Sequence, residues 1–261
     1  MEEVQHVDPN SPASAAPFSI VALTNHDDND TVSENWKMAY HKLMQESVRT
    51  ADVLFASPAW KAMDDNIEVQ LSEANYGSSY GFYSIKAHAL LEGVRGERLM
   101  HIIQDHDSKT RLSWDSEHLT FVKVIERVLV NNETIRVVQS QVNTGLPKIW
   151  PRSLLGIDWC GYDKKARVYK YIFRTTQHRS VSVTQQRQQT VAVIGTIGVI
   201  VRLVERGSTP RCELIIVVNI NPGDSFPGFL ANTCKLWLRD RVLLYARVAK
   251  DWNKYYAIKY L

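Results

Sequence analysis

A series of extended segments fills the middle of the chain and leads into one long amphipathic stretch. Six segments rich in Val, Ile and aromatic residues lie between Leu119 and Ile220, and this composition favours β-strands. Asn131-Asn132 and Gly207-Ser208 separate neighbouring segments, as expected for hairpin turns. The pattern predicts one large antiparallel sheet.

The stretch after Pro227 predicts the element that covers this sheet. Proline suits the first turn of a helix, and at ~1.5 Å per residue a helix from there to about Lys254 would be roughly 40 Å long. Such a helix could cross a curved sheet from edge to edge. Its apolar stripe consists of Leu230, Cys234, Trp237, Leu238, Val242, Tyr245, Ala246 and Ala249.

The first half of the chain adds helices and two more strands. Thr31 and Glu34 have the spacing of a capping box, which predicts a helix from about 32 to 50. Strands are predicted within residues 66–91, a short helix over Glu97–Asp107, and a second short helix or a turn over Ser108–Asp115. Residues 1–30, rich in Pro, Ser and Asp, are predicted to be a disordered tail, which leaves one domain over residues 31–261.

Composition excludes several classes of function. A net charge of +3 is too small to indicate nucleic-acid binding, although it could help contact with an anionic membrane surface. Cys160, Cys212 and Cys234 form no CxxC pair, so neither a disulfide framework nor a metal site is indicated. The longest apolar run, Val191–Val201, is far shorter than the ~18 residues that span a bilayer. We expect a monomeric cytoplasmic protein without a cofactor.

Catalytic motifs are also absent from the sequence. It has no GxSxG, HExxH or Gly-rich phosphate loop. The histidines His88, His101, His106 and His118 have no nucleophile beside them in a recognisable motif. We therefore predict that the protein is not an enzyme.

Several motifs resemble the START lipid-transfer family over roughly Thr31 to Lys254. They are Tyr83–Ala87, similar to the family's second strand; Trp114-Asp115; Gly145–Ser153, similar to its omega loop; and Asn221–Asn232, similar to the segment that leads into its last helix. The resemblance implies an α+β helix-grip fold, in which a curved antiparallel sheet of about nine strands grips the C-terminal helix around an internal hydrophobic cavity. Ser153, Ala192 and Asp224 depart from the family pattern and mark a divergent member.

The resemblance also implies a function. It predicts a carrier that encloses one lipid and moves it between membranes during transient surface contact, with the C-terminal helix as a lid. We expect the lid to hinge near Pro222–Gly228, because Gly223 and Gly228 can absorb changes in backbone dihedral angles. The expected cavity residues are Leu154, Leu230, Cys234, Trp237 and Leu238, and the expected gate and membrane contacts are Ile149, Trp150, Phe226 and Phe229. For Ile149 and Trp150, packing under the helix is the alternative.

The ligand class is predicted from three further positions. The family's phosphatidylcholine carriers have an arginine three residues before Trp-Asp, as do Arg111, Trp114 and Asp115 here. Arg111 and Asp115 are i,i+4 neighbours on a helical turn, so the carboxylate can orient the guanidinium toward a phosphate; a structural ion pair is the equal alternative. The carriers' aromatic choline cage is unmatched, because Val138 and Leu154 occupy those positions.

Sterol carriers of the family resemble one another in a buried acid and a buried arginine. By a gapless count these positions fall on Gln139 and Asp158, so an acid–arginine pair is not expected here, although both residues are predicted to line the ligand site. The prediction is thus a phospholipid carrier. A lipid-responsive sensor of a partner protein, or a cyclase or hydrolase on the same fold, stays open.

Overall fold

The computed structural model describes residues 29–63, 68–74, 83–143, 151–176, 178, 193–204, 209–221 and 231–256. The predicted contacts Ile149, Trp150, Phe226, Phe229 and Leu230, the hinge region Pro222–Gly228, the turn Gly207-Ser208 and nearly all of the predicted tail lie outside these residues. The side chain of Cys234 is likewise not described.

Five helices and nine strands occur in the described part of the chain. The helices are α1 Asn29–Ala56, α2 Gly96–Ile103, α3 Ser108–Asp115, α4 Ala231–Lys250 and α5 Trp252–Tyr255. The strands are β1 Lys61–Ala62, β2 Gln70–Ala74, β3 Tyr83–Glu92, β4 Leu119–Val130, β5 Glu133–Val142, β6 Arg152–Asp163, β7 Val168–Thr175, β8 Val193–Val204 and β9 Arg211–Asn221.

These elements confirm the predicted fold, with differences at several helix ends. α3 has the predicted bounds, whereas α1 continues to Ala56 and α2 stops at Ile103. The single predicted helix to about Lys254 is interrupted by a turn at Asp251 that separates α4 from α5.

All nine strands join one curved antiparallel sheet in the order β1-β2-β3-β9-β8-β7-β6-β5-β4. The last strand, β9, inserts between β3 and β8, so the chain leaves the middle of the sheet before α4 begins. Asn131 and Asn132 have φ angles of 51° and 63°, as the tight turn between β4 and β5 requires. The predicted hairpin at these residues is confirmed.

Successive side chains of a strand point to opposite sides of the sheet, and helices cover both sides, so both faces are buried. On one side, which we call the α1 face, Tyr40, Met44 and Ala51 of α1 pack against Ile135 and Ile157. On the other, the α4 face, Ile85, Val199 and Leu214 share a larger core with α2 and α4.

α4 covers its face of the sheet through the predicted stripe. Leu238, Val242, Ala246 and Ala249 are buried, and Trp237 and Tyr245 are partly buried. No helix in the described residues is both long enough and apolar enough to cross a bilayer.

Candidate ligand site

A buried carboxylate at the end of α3 binds two arginines. Arg111, one helical turn earlier, donates from Nε to Oδ2 of Asp115 at 2.9 Å. Arg241 of α4 donates from Nη2 to the same oxygen at 2.8 Å and from Nη1 to Oδ1. We call Arg111, Asp115, Arg241 and Tyr245 the α3–α4 clasp. The predicted i,i+4 ion pair is therefore present. Arg241 binds the same carboxylate and so fastens the C-terminal helix to α3.

Arg111 makes further hydrogen bonds within the fold. Nη1 donates to the carbonyl of Ile102 at 2.8 Å, and Nη2 donates to the Tyr245 hydroxyl at 3.3 Å. The guanidinium carbon lies 4.3 Å from the ring centroid of Trp114, within the range of a cation–π contact. Trp114 in turn meets Tyr245 edge-on.

The clasp carries an excess of positive charge. Two guanidiniums and one carboxylate sum to a formal charge of +1, and Asp115 has no exposed side-chain surface. Burial by itself raises the pKa of Tyr245, yet the neighbouring Arg241 and Arg111 outweigh it and leave that pKa below its ordinary value. An anion at this position would therefore be stabilised.

A second buried acid lies on β6. Asp158 receives two hydrogen bonds from Arg136, Nε to Oδ1 at 2.7 Å and Nη2 to Oδ2 at 2.9 Å. The Tyr171 hydroxyl donates to Oδ2 at 3.1 Å, and His106 Nε2 lies 2.5 Å from the same oxygen. We call these four residues the Asp158 cluster.

The Asp158 cluster overturns the expectation that this sheet carries no buried acid–arginine pair. Arg136 and Asp158 stand opposite each other across β5 and β6. Arg136 lies three residues before Gln139, the position at which the gapless count placed the partner of Asp158. Gln139 instead stands opposite Leu155, which packs in the core of the α1 face. Because cross-strand partners share a face, Gln139 lies on the α1 side of the sheet, whereas Asp158 lies on the α4 side with Arg136.

The last turn of α2 and the loop between α2 and α3 join the two groups of charges. The carbonyls of Ile102 and Asp105 accept from Arg111, and the carbonyl of Gln104 accepts from Arg136 at 3.1 Å. The same loop supplies His106 to Asp158. Beside it opens a cleft of about 510 Å³, which is bounded by β4 and β5 and reaches Arg136.

Of the remaining predicted site residues, the structure describes the side chains of Leu154, Trp237 and Leu238, and these three lie on the α4 face. Leu154 and Trp237 are partly buried there, and Leu238 is buried. Sequence reasoning missed Arg136, His106, Tyr171 and Arg241. Two signals were available, since Arg136 lies two residues before the inward Val138 on β5 and so shares its face, and Arg241 lies one helical turn after Trp237 in the apolar stripe. Within the described part of the chain, no group of side chains suits a metal ion.

His106 gives the fold a testable dependence on pH. Burial lowers its pKa from the ordinary 6.5 and outweighs the opposing effect of Asp158. As the pH falls through 6.5, the unfolded chain therefore takes up a proton that the folded chain does not, and stability is lost. We expect His106→Gln, which keeps a donor toward Asp158, to weaken the fall in unfolding free energy between about pH 7.5 and pH 5.5.

Urea denaturation at a series of pH values measures this effect. His88→Gln is the matched control, because the His88 side chain is 38% exposed and pairs with Glu213 on the sheet surface. Equal slopes for the wild type and the His106 variant would show that His106 titrates alike in the folded and unfolded chain.

No protein-family model and no curated protein sequence matches this chain. Solved structures do share its fold. Human STARD10 has a TM-score of 0.63 at 16% identity, over 90% of this chain and 86% of that chain. The human StarD13 lipid transfer and protein localization domain has a TM-score of 0.58 at 13% identity, over 86% and 98%. Human StAR-related lipid transfer protein 5 has a TM-score of 0.58 at 12% identity, over 85% and 96%. These similarities establish the helix-grip fold.

Proposed function

We propose that this protein binds one lipid between α4 and the facing side of the sheet and carries it between membranes. The observation that carries the proposal is the pairing of an extended apolar wall on the α4 face with one buried group of excess positive charge, the α3–α4 clasp. An amphiphile with long acyl chains and an anionic headgroup complements both. The fold is shared with proteins described as lipid transfer proteins.

The headgroup in this proposal is a phosphodiester. Its single negative charge would neutralise the +1 of the clasp, and arginine binds phosphate oxygens through a planar fork of donors. Arg111, Trp114 and Asp115 would form the headgroup end, while Leu154, Leu230, Cys234, Trp237 and Leu238 would surround the chains. Ile149, Trp150, Phe226 and Phe229 are proposed to contact the membrane.

Energetics favour exchange once the lid is open. A methylene moved from a bilayer into an apolar protein interior leaves one apolar environment for another. The ~0.8 kcal/mol lost on leaving the bilayer is therefore nearly regained in the protein. The barrier then lies in lifting α4, which separates Arg241 from Asp115. No catalytic step is part of the proposal.

Native mass spectrometry of freshly purified protein tests the proposal. We expect a co-purifying mass of one phospholipid, and transfer of that lipid between donor and acceptor vesicles. Bound lipid without transfer would favour a sensor, and a chemically altered lipid would favour an enzyme. Protein that stays empty after incubation with phospholipid vesicles would contradict the proposal.

Arg111→Ala is expected to lower phospholipid extraction from vesicles by about 10- to 100-fold, because a charge-assisted hydrogen bond contributes ~1.5–3 kcal/mol. The fold should persist, since Arg241 still neutralises Asp115. Arg247→Ala is the matched control, because Arg247 lies on the exposed side of α4. Extraction equal to that of the wild type would remove Arg111 from the headgroup site.

A sterol is the second candidate ligand, and the Asp158 cluster is the observation that favours it. Asp158 and Arg136 supply an acid–arginine pair on the α4 face, the feature in which the family's sterol carriers resemble one another. The same mass measurement separates the candidates, because a sterol and a phospholipid differ widely in mass. Binding of cholesterol with exclusion of phospholipid would replace the first proposal by the second.

A further inference from the structure

The Nε atom of Arg241 is a buried donor that the described residues leave without a partner. The two Nη atoms of Arg241, in contrast, bind the two oxygens of Asp115. The side chain is 8% exposed. Its guanidinium carbon lies 5.5 Å from the ring centroid of Trp237 and 5.2 Å from that of Tyr245.

The carboxylate that holds Arg241 carries a single negative charge, which it shares with Arg111, so one of the two positive charges stays without a counterion. Oδ2 of Asp115 accepts from both arginines, and Oδ1 accepts from Arg241. A buried donor without an acceptor and a buried charge without a counterion are both unfavourable. One anion beside Arg241 would relieve both at once.

We infer that Arg241 is a second headgroup-binding residue, and that it makes closure of α4 depend on a bound phosphodiester. The inference rests on the proposed lipid-binding function and extends it to the lid helix. Arg241 fastens α4 to α3 and at the same time offers its Nε to the ligand. A phosphate therefore stabilises α4 in its closed position against α3, whereas an uncharged lipid with the same acyl chains does not. By linkage, closure raises the affinity for the phospholipid by the same factor.

Hydrogen exchange of the full-length protein tests this coupling. The protein is loaded from vesicles with phosphatidylcholine or with diacylglycerol of identical acyl chains, and native mass spectrometry of the same samples reports the fraction loaded. We expect the amides of residues 235–250 to exchange about tenfold more slowly with phosphatidylcholine than with diacylglycerol. In Arg241→Met the ratio of the exchange rates with diacylglycerol and with phosphatidylcholine should fall to about twofold or less. In the control Arg247→Met this ratio should match that of the wild type.

Three results would overturn the inference while leaving lipid binding intact. They are equal exchange with the two lipids in the wild type, an unchanged ratio in Arg241→Met, and the same slowing by inorganic phosphate without lipid. If neither lipid loads, the proposed function fails and the inference fails with it. Should Arg241→Met not fold, Arg241→Lys keeps the charge but lacks Nε and the planar fork. Its ratio should be about threefold, and a ratio equal to the wild type would again overturn the inference.

Discussion

Asp158→Ala is expected to lower the free energy of unfolding by about 3–5 kcal/mol. The substitution leaves Arg136 largely buried without its counterion, and it removes the acceptor for Tyr171 and the partner of His106. Breaking a buried ion pair costs more than the pair itself contributes, because the remaining charge stays desolvated. Urea denaturation followed by circular dichroism measures the loss.

A double variant separates lost charge balance from lost packing. Arg136→Met combined with Asp158→Leu removes both charges and retains volume, so it should recover most of the stability. A loss below about 1 kcal/mol in Asp158→Ala would show that water reaches the cluster and compensates the arginine.

Asp158 should also govern part of the acid denaturation. Burial raises its pKa, but His106 and Arg136 together outweigh burial and bring the pKa below 3.8. The stability from this carboxylate is therefore fully present above 3.8 and is lost as the pH falls through the lowered value. Asp158→Ala should lack this component of the acid transition.

Asp115→Ala is expected to lower the free energy of unfolding of the lipid-free protein by about 3–5 kcal/mol. It leaves two buried guanidiniums, those of Arg111 and Arg241, without a carboxylate between them. Under the proposed function a bound phosphodiester takes over part of the role of Asp115. Loading with phosphatidylcholine should therefore stabilise this variant more than it stabilises the wild type.

Thermal denaturation with and without lipid measures that difference. Asp240→Ala is the matched control, because Asp240 is an exposed acid on the same helix as Arg241. An equal gain from lipid in the variant and the wild type would mean that the headgroup does not approach the clasp.

The order of elements could be predicted because its signals are local. The β-favouring composition of β4 and β5, the Asn131-Asn132 turn and the apolar stripe of α4 each depend on residues close together in the chain. α3 was predicted with its observed bounds, and Arg111 and Asp115 were predicted as partners because they occupy one turn of that helix. The α2–α3 loop gave no such signal, since its carbonyls bind side chains of other elements.

The sequence by itself determined which segments are helices and strands, and it placed the pair Arg111–Asp115 on one of them. Only the tertiary structure decided that Asp115 also binds Arg241, which is 126 residues away, and that Asp158 pairs with Arg136 rather than with position 139. Partners on different elements depend on strand register and on the rotation of a packed helix. A count along the chain fixes neither, because the register between β5 and β6 follows from the pairing of the whole sheet.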